Sequence, residues 1–173
     1  MKSKNLRVPY GLSVHGNDEI KAVIKVLKSS TQMGKHVSIF EKKISKLFSK
    51  KYGLMVNSGS SALTLAMNVL NIKKGDEIIT PCLNFGTAVS SIVMAQATPV
   101  FVDIEIETLQ IDVNKIEKKI TKKTKALLIP NLIGNIPNWK KIHALSKKYK
   151  LKIIEDSADT LGATINNKPT GIY

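Results

Sequence analysis

The sequence predicts an α/β fold, a mostly parallel sheet flanked by helices. Three observations carry this. After Gly53, short apolar runs alternate with helical segments, the spacing of successive βαβ units. The runs, such as "EIIT", "ALLIP" and "KIIED", carry apolar residues at consecutive positions rather than alternate ones. That pattern suits strands covered on both faces. No linker, internal repeat or low-complexity tract interrupts the order.

The elements follow in turn. Asn17 or Asp18 is placed to cap a first helix with Ile20, Val23, Ile24 and Leu27 on one face. "SSTQMGK" breaks that pattern, and Val37, Phe40, Ile44, Leu47 and Phe48 mark a second helix. "LMV" reads as a short buried strand, with a helix from about Ser60. "EIIT" precedes a helix from about Gly86, "PVFVDI" one from about Val113, and "ALLIP" one from about Asn138. "LKIIED" and "LGATI" close the series, with "INNKPTG" as a turn.

Composition narrows the function classes. A chain of 173 residues with 43% hydrophobic content can bury a core. No apolar run approaches the roughly 20 residues that span a bilayer, and the N-terminus lacks the apolar centre of a signal peptide. One cysteine, Cys82, excludes an internal disulfide framework. A cytoplasmic protein is the expectation. The net charge of +14 suggests nucleic acid at first. Yet Arg7 is the only arginine, and the lysines fall on polar helix faces, as with Lys42, Lys43, Lys46 and Lys50. Phosphate and base recognition favours arginine forks, so no nucleic-acid partner is expected. A positive surface favours a phosphorylated substrate.

Ligands of parallel α/β sheets sit beyond the carboxyl ends of the strands. Three stretches land there. In "NSGSS", Gly59 lets an anion approach the backbone of a helix N-terminus, while Ser60 and Ser61 add hydroxyls. The same run could simply cap the helix. In "TPCLNFGTA", Phe85 could stack on a flat ring or fold into the core, and Cys82 reads as a small buried hydrophobe. In "LKIIEDSADTLG", Glu155, Asp156 and Asp159 form a tight acidic group at a strand end. A carboxylate there could hold a protonated ring nitrogen. No His or Cys at ligand spacing accompanies it, so a metal site is not supported. Neither a P-loop nor a dinucleotide fingerprint is present.

Together these stretches resemble the DegT/StrS-type sugar aminotransferases, which are fold-type I enzymes dependent on pyridoxal phosphate. "STQMGKHVSIFEKKISKLFSKKYGLMVNSGSSAL", "GDEIITPCLNFGTA", "ATPVFVDIEIETLQIDVNKIEKKITKKTKALLIPNLIGNIPNW" and "KIIEDSADTLGATINNKPTG" fall in family order. The resemblance implies a cofactor-binding large domain and either pyridoxal 5'-phosphate or pyridoxamine 5'-phosphate. It assigns Gly59 and Ser60 to the cofactor phosphate, Phe85 to the ring face and Asp156 to the pyridinium nitrogen. Asp159 stands at a cofactor-site position where the aminotransferase pattern has Gln. With "NSGSSA" and "LIGNIP", this looks most like the RfbH-like branch of CDP-4-keto-6-deoxyhexose 3-dehydrases.

The implied function is C-3 dehydration of a nucleotide-linked 4-keto-6-deoxy sugar for lipopolysaccharide or other surface polysaccharide. Transamination from glutamate is the alternative, and a non-catalytic fragment the alternative of another class. The catalytic Lys or His of the family is expected beyond Tyr173, as His in the dehydrase branch. The chain then divides into an N-terminal helical segment, 1–52, and an incomplete cofactor-binding large domain, 53–173. The 173-residue chain alone is expected to be inactive. A homodimer at full length and a redox partner complete the expectations.

Overall fold

In the computed structural model, Pro9 and residues 11–32 and 34–171 are described. Two compact units divide between Ser38 and Ile39. The first contains α1 (Asn17–Ser29), whose apolar stripe of Ile20, Val23, Ile24 and Leu27 is exposed. Its N-cap is Gly16 rather than Asn17 or Asp18. The cause is Glu19, whose carboxylate reaches back to accept the Gly16 N–H at 2.7 Å. An acidic side chain three residues into a helix satisfies the first backbone donor in this way. Helix α2 (Lys35–Leu47) spans the division between the units.

The second unit holds the sheet. Its elements after α2 are α3 (Gly59–Val69), β1 (Glu77–Pro81), α4 (Gly86–Met94) and β2 (Thr98–Val102). There follow α5 (Val113–Ile116), continued by a 3₁₀ turn Glu117–Lys119, then β3 (Thr124–Pro130), α6 (Trp139–Tyr149) and β4 (Lys152–Asp156). A two-residue hairpin pair, β5 (Thr164–Ile165) and β6 (Lys168–Pro169), ends the described chain. The four main strands are all parallel, in the order β2-β1-β3-β4.

Alternation along the strands divides the core in two. Ile78, Ala126, Leu128 and Ile154 meet Leu63 and Met67 of α3 and Ala88 and Ile92 of α4. Their neighbours Ile79, Leu127 and Ile129 face the other way, against Val113 and Ile116 of α5 and Trp139 and Ile142 of α6. Consecutive strand residues point to opposite faces, so a run apolar at every position supplies both layers at once. This is why the uninterrupted apolar runs identify the central strands.

"LMV" departs from expectation. Residues 54–56 form no strand; Leu54 is 71% exposed. An extended segment becomes a strand only when a neighbour pairs its backbone. Here the hydrogen bond made by this stretch runs from the Met55 N–H to the Glu41 carboxylate of α2, at 2.7 Å.

Candidate functional site

The topology gathers the three stretches at one edge. Helix α3 leads through residues 70–76 into the start of β1, so its N-terminus lies toward the carboxyl edge of the sheet. Helix α4 begins five residues after β1 ends, and Asp156 is the last residue of β4.

At the α3 N-terminus, Ser58 is the N-cap and its Oγ accepts the Ser61 N–H at 3.1 Å. The Ser58 hydroxyl also bonds Ser61 Oγ at 3.0 Å, which ties Ser61 into the cap. The cap occupies one first-turn donor, while the N–H groups of Gly59 and Ser60 have no acceptor one turn earlier in the helix. A Cβ built on Gly59 would meet no atom within 4 Å, and its backbone is not left-handed. Neither packing nor conformation in this chain requires glycine at 59. The small residue leaves open space before a helix N-terminus, which is what a phosphate needs.

Phe85 stands out of the core, 62% exposed, at the N-cap of α4. Asn84 fixes the turn beneath it. Its Nδ2 donates to Thr80 Oγ1 at 2.9 Å, and its Oδ1 accepts the Phe85 N–H at 2.7 Å. Cys82 is exposed, not buried as expected, because the buried run of β1 stops at Pro81. Its thiol faces the Asp103 carboxylate at 3.7 Å.

The three acidic residues do not form the tight group expected. Strand alternation separates them. Asp156 lies two residues after Ile154, so it shares the α3/α4 face. Glu155 turns to the α6 face, where its Oε1 accepts from Asn131 Nδ2 at 2.8 Å and from Ser157 Oγ at 3.1 Å. Asp156 Oδ1 accepts the Ala158 N–H at 3.1 Å, which holds the carboxylate at the strand end. Asp159 lies in the following turn and accepts the Ile133 N–H at 2.9 Å. Among the described residues no three His, Cys, Asp or Glu side chains gather as metal ligands would.

Asn131 escaped the sequence reading. It is 1% exposed, directly after β3, and its amide donates to Glu155, to Ser157 at 3.1 Å and to Thr160 at 3.3 Å. Its backbone N–H donates to the Asp156 carbonyl at 2.9 Å. The available signal was one polar residue directly after the apolar run of residues 126–130.

The sequence profile of the DegT/DnrJ/EryC1/StrS aminotransferase family matches residues 14–173. The chain belongs to this family. A GDP-4-keto-6-deoxy-D-mannose 3-dehydratase of Escherichia coli O55:H7 is 35% identical over 97% of this chain and 45% of that relative. A dTDP-3-amino-3,6-dideoxy-alpha-D-galactopyranose transaminase of Aneurinibacillus thermoaerophilus is 39% identical over 87% of this chain and 42% of its own length. Among solved structures, the E. coli GDP-4-keto-6-deoxy-D-mannose-3-dehydratase with bound hydrated PLP aligns with a TM-score of 0.88. It is 36% identical, over 95% of this chain and 44% of that one. The chain thus spans less than half the length of these relatives. The fold is the expected one, the parallel-sheet, cofactor-binding part of a fold-type I large domain. Among the described residues no helix is long and apolar enough to cross a membrane.

Proposed function

We propose that the protein takes part in C-3 dehydration of a nucleotide-linked 4-keto-6-deoxyhexose, with pyridoxamine or pyridoxal phosphate as cofactor. The observation that carries this reading is the relation to 3-dehydratases over nearly the whole chain. When bound, the cofactor supplies an electron sink for negative charge beside the sugar's keto carbon. The chain's own residues supply its seat. The first-turn N–H groups at Gly59 and Ser60 hold the phosphate, helped by the positive end of the α3 dipole. Phe85, exposed above the fixed Asn84 turn, covers one ring face. Asp156 keeps a proton on the ring nitrogen, because a carboxylate favours the protonated form. Asp159 lies in the next turn, with its carboxylate on the Ile133 N–H.

The reading extends to a cytoplasmic homodimer in surface-polysaccharide synthesis, with electrons from a redox partner or a coupled transamination. A second reading, amino transfer from glutamate to the same class of sugar, is favoured by the likeness to the transaminase. The complete gene product decides between them. It is incubated with pyridoxamine phosphate and with GDP- or CDP-linked 4-keto-6-deoxyhexose, with and without glutamate. A 3-deoxy sugar is the expected product. Amino sugar formed from glutamate, with oxygen retained at C-3, selects amino transfer instead.

A further inference from the structure

The loop after β3 contains a conformation its sequence resists. Ile133 has φ 51° and ψ 26°, in the left-handed region. A β-branched side chain there crowds its own backbone, and such residues are rare outliers. They persist where surrounding structure over-determines them, and they concentrate at functional sites. Ile133 is also 62% exposed, so core packing does not explain it.

Polar contacts from distant parts of the chain hold this turn. Gln110, itself 3% exposed, donates from Nε2 to the Leu132 carbonyl at 3.0 Å. Asn135 Nδ2 donates to the Thr108 carbonyl at 2.8 Å. Asp159 acts on the left-handed residue itself, accepting the Ile133 N–H at 2.9 Å. Hydrogen bonds to an ionised acceptor are the stronger kind. Asp159 follows Asp156 by three residues, so the turn leaving β4 clamps the loop leaving β3. These strands are neighbours, and the loop sits between the ends of β1 and β4.

We propose that Asp159 is a positioning residue. Its carboxylate holds the 131–135 loop in a left-handed turn at the carboxyl edge and so fixes one wall of the sugar-binding space. This rests on the function proposed above for that edge. Asp159 then acts through the Ile133 backbone, whereas Asp156 acts on the cofactor ring.

The test uses the complete gene product with Asp159→Ala, Asp159→Asn, and Asp159→Ala combined with Ile133→Asn. Asparagine tolerates the left-handed region, so it replaces the missing clamp at residue 133 itself. Amide exchange over 131–135 is read by mass spectrometry, alongside cofactor affinity, KM and kcat. Asp159→Ala is expected to speed exchange in this loop and raise the sugar KM by about tenfold. Cofactor affinity and kcat stay within about twofold. Asp159→Asn, which keeps an acceptor oxygen, remains near wild type, and Ile133→Asn restores protection to Asp159→Ala. Unchanged exchange together with lost cofactor affinity, not rescued by Ile133→Asn, would overturn the proposal and make Asp159 a cofactor ligand. If the wild-type protein binds no cofactor, the functional reading fails, while the exchange data still decide whether Asp159 clamps the loop.

Discussion

The indole N–H of Trp139 donates to Asn131 Oδ1 at 2.9 Å, joining the start of α6 to the end of β3. Through the same amide, Asn131 holds Glu155 and Ser157, the residues on either side of Asp156. The position of Asp156 thus depends on a buried contact with no part in the ligand seat. Helix α6 packs beneath the sheet through Trp139 and Ile142, and Asn131 carries that placement to the strand end.

Replacing Asn131 by Leu removes these donors and the acceptor for Trp139 in a site closed to water. Buried polar groups left unpaired cost about 1–3 kcal/mol. For a chain of this size that corresponds to a fall in Tm of roughly 3–8 °C. Thermal unfolding followed by circular dichroism measures it. A Tm within 1 °C, by rough allowance for such scans, would show that the network contributes nothing net.

Gly59→Val separates binding from folding. The added side chain meets open space in the chain itself, so stability changes by roughly 0.5 kcal/mol, the helix-propensity difference. The cup before α3 is filled, and affinity for pyridoxamine phosphate falls by at least about tenfold through lost backbone approach. Spectrophotometric titration beside a thermal scan reads both quantities. A folded variant with wild-type cofactor affinity would remove the phosphate from this helix end.

The parallel sheet was legible because β3 is apolar at every position from Ala126 to Ile129, which only a strand covered on both faces tolerates. The separation of Glu155 from Asp156 was also within reach, since adjacent strand residues face opposite ways. The "LMV" strand was misread because strand formation needs a partner, and pairing across the chain leaves no local mark. Gly16 lost to Asn17 and Asp18 as N-cap in the sequence because propensity ranks the side chain of the cap. The deciding contact came instead from Glu19. The bond from Asn131 to Glu155 and the bond from Ile133 to Asp159 join residues more than twenty positions apart, beyond any windowed pattern.

His143 gives the fold a pH dependence. Burial pushes its imidazole below the usual histidine range; the Glu155 charge opposes this and Lys50 adds to it. The folded state therefore prefers neutral His143, while the unfolded chain takes up its proton near pH 6.5. Stability is complete above that value and is lost as pH falls from about 6.5 toward the lower folded pKa. His143→Gln removes this part of the slope. Urea midpoints of wild type and variant between about pH 7.5 and 5.5, which brackets the imidazole range, test it. Parallel curves would mean that His143 does not contribute.

Asp156 carries the chemical half of the proposal. Its carboxylate bonds locally to the Ala158 N–H and is only half-buried, so its loss costs the fold little. In the complete protein, Asp156→Ala leaves the ring nitrogen without a charge partner. The expected results are weaker cofactor retention, a shifted cofactor absorption band and a fall in kcat of at least about a hundredfold, the scale of lost proton and charge control in a site. Asp156→Asn keeps the shape without the charge and is expected to fail nearly as badly. Asn131→Asp, which disturbs the support rather than the ligand, should give a milder defect in the same band. An Asp156→Ala protein with wild-type turnover and an unaltered spectrum would place the nitrogen partner elsewhere on the carboxyl edge.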